Sequence, residues 1–144
     1  MPTLSAKQRL YARRTGTEQT LTTGTDCIFN TKYGGDLPYN ASTGVFTLEA
    51  GKTYRIMVTA SMNTTGYVIL RAVNAATNAV VADSNQAIWM DVNPSTTSWH
   101  ESSAGPLLAY ITPTTTGGYK IRATSVSGTS KLRNNYSALE VQEV

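Results

Sequence analysis

The stretch Tyr39-Asn40-Ala41-Ser42-Thr43-Gly44-Val45-Phe46-Thr47-Leu48-Glu49-Ala50-Gly51-Lys52-Thr53-Tyr54-Arg55-Ile56-Met57-Val58-Thr59-Ala60-Ser61-Met62 decides how this chain is read. Asn40 to Gly44 is rich in turn residues, and a short strand carrying Phe46 follows. Glu49, Ala50 and Gly51 then turn the chain into a long strand. Strand side chains alternate with period 2, so Tyr54, Ile56, Val58, Ala60 and Met62 share one face. That face is expected to be core. Thr53, Arg55, Thr59 and Ser61 occupy the other, interrupted by Met57. A face so mixed suits contact with another polypeptide better than open water.

The rest of the chain fits around this stretch. A length of 144 residues points to one domain, enough to bury about 70% of its unfolded surface in a single core. Thr, Ser, Asn and Gly dominate, and eight Tyr stand against two Phe, a composition suited to pleated strands joined by many turns. The net charge of +3 is dispersed, so nucleic acid is not an expected partner. Pairs such as Arg13 with Arg14, or Lys120 with Arg122, read as solvated strand faces, with contact to a polyanion as the lesser reading. The lone Cys27 permits no internal disulfide and no cysteine metal motif. Between Asp26 and Ile28 it reads as a small buried hydrophobe rather than a reactive thiol. No apolar run reaches the length of a membrane-spanning helix. Lys7 to Arg14 is basic without an apolar segment after it, so no signal peptide is expected and export would need another route.

In chain order, residues 1–7 read as a disordered lead or the truncated junction to a stalk, and residues 8–144 as one domain. Strands are expected at Gln8–Arg14, Gln19–Thr22 and Asp26–Asn30, followed by a loop from Lys32 to Pro38. Asn63-Thr64-Thr65-Gly66 reads as a hairpin connection into a strand from Tyr67 to Val73. Ala79–Ala82 and Ala87–Val92 form an interrupted pair or one bulged strand. Asn93–Ser103 reads as a polar loop, Pro106–Thr112 and Tyr119–Val126 as strands, and Ser127–Arg133 as a loop. Tyr136–Val144 closes the chain with Leu139 and Val141 inward. No helical period persists. About ten strands with turn signals every 8–12 residues argue for an all-β sandwich or jelly roll.

Tyr39-Asn40, Thr43-Gly44-Val45-Phe46-Thr47, Ala50-Gly51 and Tyr54 together resemble the signature of the complement globular-head family, whose jelly rolls are related to tumour necrosis factor and form homotrimers. Ala12-Arg13-Arg14 resembles that family's first strand, and Leu139 to Val144 its last. The family's aromatic stands two residues after the glycine, whereas Tyr54 stands three after Gly51, implying a bulge or slipped register. The Thr/Asn/Ser-rich wording and the C-terminal ending also resemble phage structural proteins that carry this jelly roll as the distal knob of a tail needle or tail fibre.

The resemblance implies a threefold axis faced by the strand after Gly51, the final strand and the Pro106–Thr112 strand. It therefore implies a trimer interface of Arg55, Met57, Leu108, Tyr110, Ala138, Glu140 and Gln142. Three copies of Glu140 near an axis need cations, and Arg55 is the obvious candidate on the neighbouring strand. A monomer with an exposed Arg55–Glu140 cross-strand pair is the bland alternative.

No enzyme is expected. His100, Glu101, Ser102 and Ser103 have the residue types of acid–base or nucleophilic chemistry, but one His in a Ser/Thr-rich loop reads as surface. Asp83 and Asp91 show no paired spacing, and no cofactor or metal is implied. Trp89 reads as core or subunit contact. Trp99, His100 and Tyr67 are candidates for contact with a receptor or glycan, Trp99 alternatively folding back over the sandwich. Tyr33 and Tyr136 are weaker candidates for the same contact. Two functions follow from the resemblance. One is a virion knob at the tail tip, continuous with the rest of the tail protein, that meets a host-surface glycan, protein or lipid for attachment or penetration before genome ejection. The other is an extracellular adhesin or ligand head on a collagen-like or fibrous stalk. A purely structural trimerisation cap is the third reading.

Overall fold

The computed structural model describes residues 6–90, 100–102 and 106–144, and among these every regular element is a β-strand. The first eight are β1 (Arg9–Arg13), β2 (Gln19–Leu21), β3 (Asp26–Cys27), β4 (Thr31–Gly34), β5 (Tyr39–Asn40), β6 (Val45–Leu48), β7 (Tyr54–Thr59) and β8 (Met62–Thr64). There follow β9 (Tyr67–Asn74), β10 (Asp83–Ser84), β11 (Ala87–Met90), β12 (His100–Ser102), β13 (Leu107–Ile111), β14 (Gly117–Ser127), β15 (Ser130–Leu132) and β16 (Ala138–Glu143). Within the described residues the first sheet runs β10-β13-β7-β16-β1-β4. The second runs β11-β9-β14-β6-β5 with β3 beside β14, and a smaller third runs β12-β8-β15-β2.

Alternation along the strands builds the core. The first sheet buries Leu10 and Ala12 from β1, Ile56 and Val58 from β7, Leu107 and Ala109 from β13, and Leu139 and Val141 from β16. Phe46, Leu48, Val68, Leu70, Trp89, Ile121 and Ala123 of the second sheet join them in one cluster. Each fully buried Leu, Ile, Val or Phe contributes about 1.5–3 kcal/mol. The result is the expected jelly-roll sandwich.

Tyr54, Ile56, Val58, Ala60 and Met62 are all buried as the alternation predicts, but they do not lie on one strand. The chain breaks after Thr59 and resumes as β8 in the third sheet. Groups from distant segments hold the break. The Trp89 indole N–H donates to the Ala60 carbonyl at 3.0 Å. The Ser61 N–H donates to Ser137 Oγ at 3.1 Å, and the Ser61 carbonyl accepts from the Arg133 N–H at 2.9 Å. Buried backbone groups at a strand end need such partners.

Other expectations change in the same way. Residues 63–66 are not a hairpin, since β8 and β9 belong to different sheets. The segment after Asn78 makes neither a strand pair nor one bulged strand: β10 joins β13 in the first sheet and β11 joins β9 in the second. The loops expected at Lys32–Pro38 and Ser127–Arg133 contain β4 and β15, and β12 lies inside the loop expected at Asn93–Ser103. No bulge follows Gly51. The pairing of β7 with β13 and with β16 is continuous from Tyr54 onward, and the extra residue is absorbed in the turn before it. There Gly51 adopts φ +80° and donates its N–H to the Pro113 carbonyl at 2.8 Å.

The Asn40–Gly44 turn is fixed by Asn40, whose Oδ1 accepts from the Ser42 N–H at 2.9 Å and the Thr43 N–H at 3.2 Å. Gly44 closes it at φ +77°, where a Cβ would lie 2.7 Å from the Cys27 carbonyl oxygen. A left-handed residue bearing a side chain costs about 1–2 kcal/mol before any clash. Gly44→Ala is therefore expected to lower stability by about 3 kcal/mol in urea unfolding. Gly117→Ala, where a Cβ meets nothing within 4 Å, should cost nothing measurable.

Cys27 is fully buried against β14, as the sequence suggests. Burial, helped by the Asp26 carboxylate, pushes its thiol from 9.0 up to about 12. Tyr39 donates its hydroxyl to the Phe29 carbonyl at 2.7 Å, and burial outweighs that bond to raise the phenol from 10.0 to about 12. Both groups hold their protons longer folded than unfolded. Their contribution is thus fully present below pH 9 and is lost as pH rises toward about 12, because there the unfolded chain has already released protons that the folded chain retains. The urea midpoint should fall across that window. Cys27→Ala should delay the onset to about pH 10, where Tyr39 takes over.

Candidate subunit interface

The sheet order β13-β7-β16-β1 brings the three strands singled out from the sequence side by side and adds β1 to them. Their register sorts the outward side chains into rows. Leu108, Met57, Glu140 and Tyr11 form one row across the four strands. Tyr110, Arg55, Gln142 and Arg9 form the next, and Thr59, Ala138 and Arg13 lie on the other side of the first. All seven residues assigned to this face by the resemblance therefore stand on it together. Adjacent strands lie about 4.8 Å apart, so the central row spans roughly 15 Å.

The expected Arg55–Glu140 pair does not form within the chain. Register places Gln142 directly opposite Arg55, and Arg55 Nη2 donates to Gln142 Oε1 at 2.7 Å. Glu140 stands opposite Met57 instead. Among the described residues neither Glu140 nor Arg9, Arg13 or Arg55 forms an ion pair. One carboxylate and three guanidinium groups on this face are left without a charge partner.

Aromatic residues rim the face. Tyr11 and Tyr33 approach with ring centroids 6.2 Å apart, and the Arg13 guanidinium carbon lies 5.6 Å and 5.9 Å from the two rings. Arg13 Nε also donates to the Tyr11 hydroxyl at 2.7 Å. On the other side Arg133 stacks 4.5 Å from the Tyr136 centroid. Between them lies a depression of about 410 Å³ lined by Tyr11, Arg13, Met57, Tyr136, Ala138 and Glu140. A second, of about 260 Å³, runs from Glu140 past Tyr11 to Gly34 and Gly35. Tyr33, Tyr110 and Tyr136 are 57%, 39% and 63% exposed, a concentration of wet aromatic surface of the kind enriched at protein contacts.

The sequence offers Tyr33 and Tyr136 as weaker candidates for a glycan contact and reads Arg13 as part of a solvated strand face; in the structure Tyr11 and Arg13 stand on the outward face beside the proposed contact residues. The outward parity of β1 was the available signal: Leu10 and Ala12 inward force Arg9, Tyr11 and Arg13 onto the face.

Of the candidates for surface contact, Tyr67 and His100 lie on different sheets. Tyr67 stands half exposed at the start of β9, its hydroxyl accepting from Ser125 Oγ at 3.3 Å, and His100 opens β12 in the third sheet. Trp99 lies outside the described residues. Trp89 is core, fully buried. Among the described residues no three His, Cys, Asp or Glu side chains are placed to hold a metal ion.

The fold has clear counterparts of known structure. It is similar to the globular domain of the zebrafish complement 1qA protein, with a TM-score of 0.59 and 14% identity over 96% of this chain and 98% of that one. It is equally similar to Eiger TNF from S. frugiperda, with a TM-score of 0.59 and 10% identity over 96% of this chain and 92% of that one. No protein-family model and no curated protein matches the chain. The likeness extends over nearly the whole length of both structures. The chain has the jelly roll of complement heads and tumour necrosis factor.

Proposed function

We propose that this jelly roll acts as a homotrimer, a distal head that contacts a cell surface through three linked copies of one domain. The observation that carries the reading is the outward face of β13-β7-β16-β1. It combines half-buried Met57 and Leu108, a rim of exposed tyrosines, and the opposite charges of Glu140 and Arg13. A threefold contact joins two different patches of the same chain, and charges of both signs on this mixed face let the Glu140 carboxylate of one copy meet an arginine of the next. Within this reading the sequence resemblance favours the knob of a phage tail needle or tail fibre, which meets the host envelope for attachment or penetration before genome ejection. A complement-head-like adhesin or ligand on a fibrous stalk uses the same face in the same way. The segment that precedes the domain in the gene separates the two: heptads mark a needle and Gly-X-Y repeats a collagen-like stalk.

Linking three weak sites raises avidity about 10²–10⁴-fold without any new contact. A glycan array probed with the labelled domain should therefore retain the native chain at concentrations where a variant unable to assemble washes off. Equal retention of both would show that assembly does not serve binding. Retention of neither would leave the domain as a structural cap.

A further inference from the structure

The second sheet carries a charge cluster that the subunit contact does not use. Lys120 and Arg122 of β14 point outward from the sandwich, and Arg122 stands directly opposite Arg71 of β9. One carboxylate serves this group. Asp26 accepts from Lys120 Nζ at 2.9 Å, and its other oxygen lies 3.9 Å from Arg122 Nη1. Lys120 is only 8% exposed, which corrects its reading as part of a solvated strand face. Arg122 is held from two further sides. Its Nη1 donates to Asn78 Oδ1 at 2.9 Å, and its Nη2 packs where a Cβ on Gly24 would come within 3.1 Å.

Arg71 is different. It forms no ion pair among the described residues, and its Nε is buried with no hydrogen-bond acceptor. Like charges directly opposite across two strands are destabilising, and a buried donor without an acceptor adds to that cost. Two arginines directly opposite each other on paired strands, one anchored and one with its Nε donor unused, carry the planar donor groups by which arginine recognises oxyanions. Three cations and one carboxylate leave a surplus of two positive charges, against the −1.5 to −2 or so of a phosphate group near neutral pH.

We propose that Arg71 and Arg122 form a phosphate-binding site on the outer face of the second sheet, with Lys120 and Asp26 fixing its charge. The site does not depend on the trimer, because it lies on the sheet opposite the proposed contact. The phosphate is free inorganic phosphate or an ester carried by a surface polysaccharide.

Arginine Nε–Hε resonances of the full chain, titrated with inorganic phosphate at constant ionic strength, test this. Arg71 and Arg122 should shift saturably while Arg9 and Arg13 stay still. Arg71→Gln should weaken phosphate binding at least tenfold with a thermal midpoint no lower than that of the parent, and Arg122→Gln should lose the same shift. A phosphorylated oligomannose that binds more tightly than inorganic phosphate, when its unphosphorylated form does not bind, identifies the carried ester. Equal affinity identifies the free ion. A linear, unsaturated response, an equal response from Arg9 and Arg13, or unchanged binding by Arg71→Gln overturns the proposal.

Discussion

Met57→Glu is expected to yield a folded monomer. Met57 lies between Leu108 and Glu140 in the central row of the outward face, half buried in the single chain. A carboxylate there stands directly opposite Glu140. On a lone chain, such a cross-strand pair of like charges costs only about 0.2–1 kcal/mol, so the fold survives. In a contact between copies, the same two carboxylates enter a dehydrated seam, where an unpaired ion costs several kcal/mol. The substitution thus acts on association far more than on folding. At roughly 3 kcal/mol per subunit, dissociation is favoured by more than 100-fold. Sedimentation velocity should show the native species replaced by single chains, with an unchanged far-ultraviolet spectrum. Met57→Leu, similar in volume and uncharged, should remain assembled. Assembly that persists in Met57→Glu would place the contact on another surface.

The second large effect is expected at Trp89, a fully buried side chain far from that face. Removing a buried Trp costs about 3–5 kcal/mol in lost packing. Here it also strips the Ala60 carbonyl of its donor, 3.0 Å away, at the point where the chain leaves the first sheet for the third. A buried acceptor without a partner adds about 1–3 kcal/mol. Trp89→Ala should therefore cost about 5 kcal/mol and lower the thermal midpoint by roughly 15 °C. Trp89→Phe keeps most of the packing and loses the hydrogen bond, so it should cost about half as much. If the two variants proved equally damaging, the bond to Ala60 would be the larger part of what Trp89 supplies, against this account.

The parity of apolar side chains made the core of the first sheet legible. Tyr54, Ile56, Val58, Leu139 and Val141 are inward because each flanks a polar or mixed neighbour that must face out. What parity cannot show is where a strand changes sheets. The break after Thr59 depends on Trp89, Arg133 and Ser137, whose bonds to it span 29 or more residues of sequence, so nothing local marks it. The β4 strand escaped notice for another reason. Thr31, Lys32, Tyr33 and Gly34 form an edge strand with no buried residue, and an edge needs no apolar alternation.

Membership of the outward face was legible for the same reason as the core. Its pairing was not, because a two-residue difference in register, which leaves the inward and outward parity unchanged, decides whether Arg55 meets Gln142 or Glu140. Lys120 misled for a related reason. Its strand alternates cleanly, but Asp26 of β3 folds over it and takes the ammonium group out of water.

Self-association through the face centred on Met57 is tested most directly by the mass of the unmodified chain in solution. Sedimentation equilibrium across micromolar concentrations should give a single species of three times 15.5 kDa. A mass of 15.5 kDa that stays constant over the same range would contradict it.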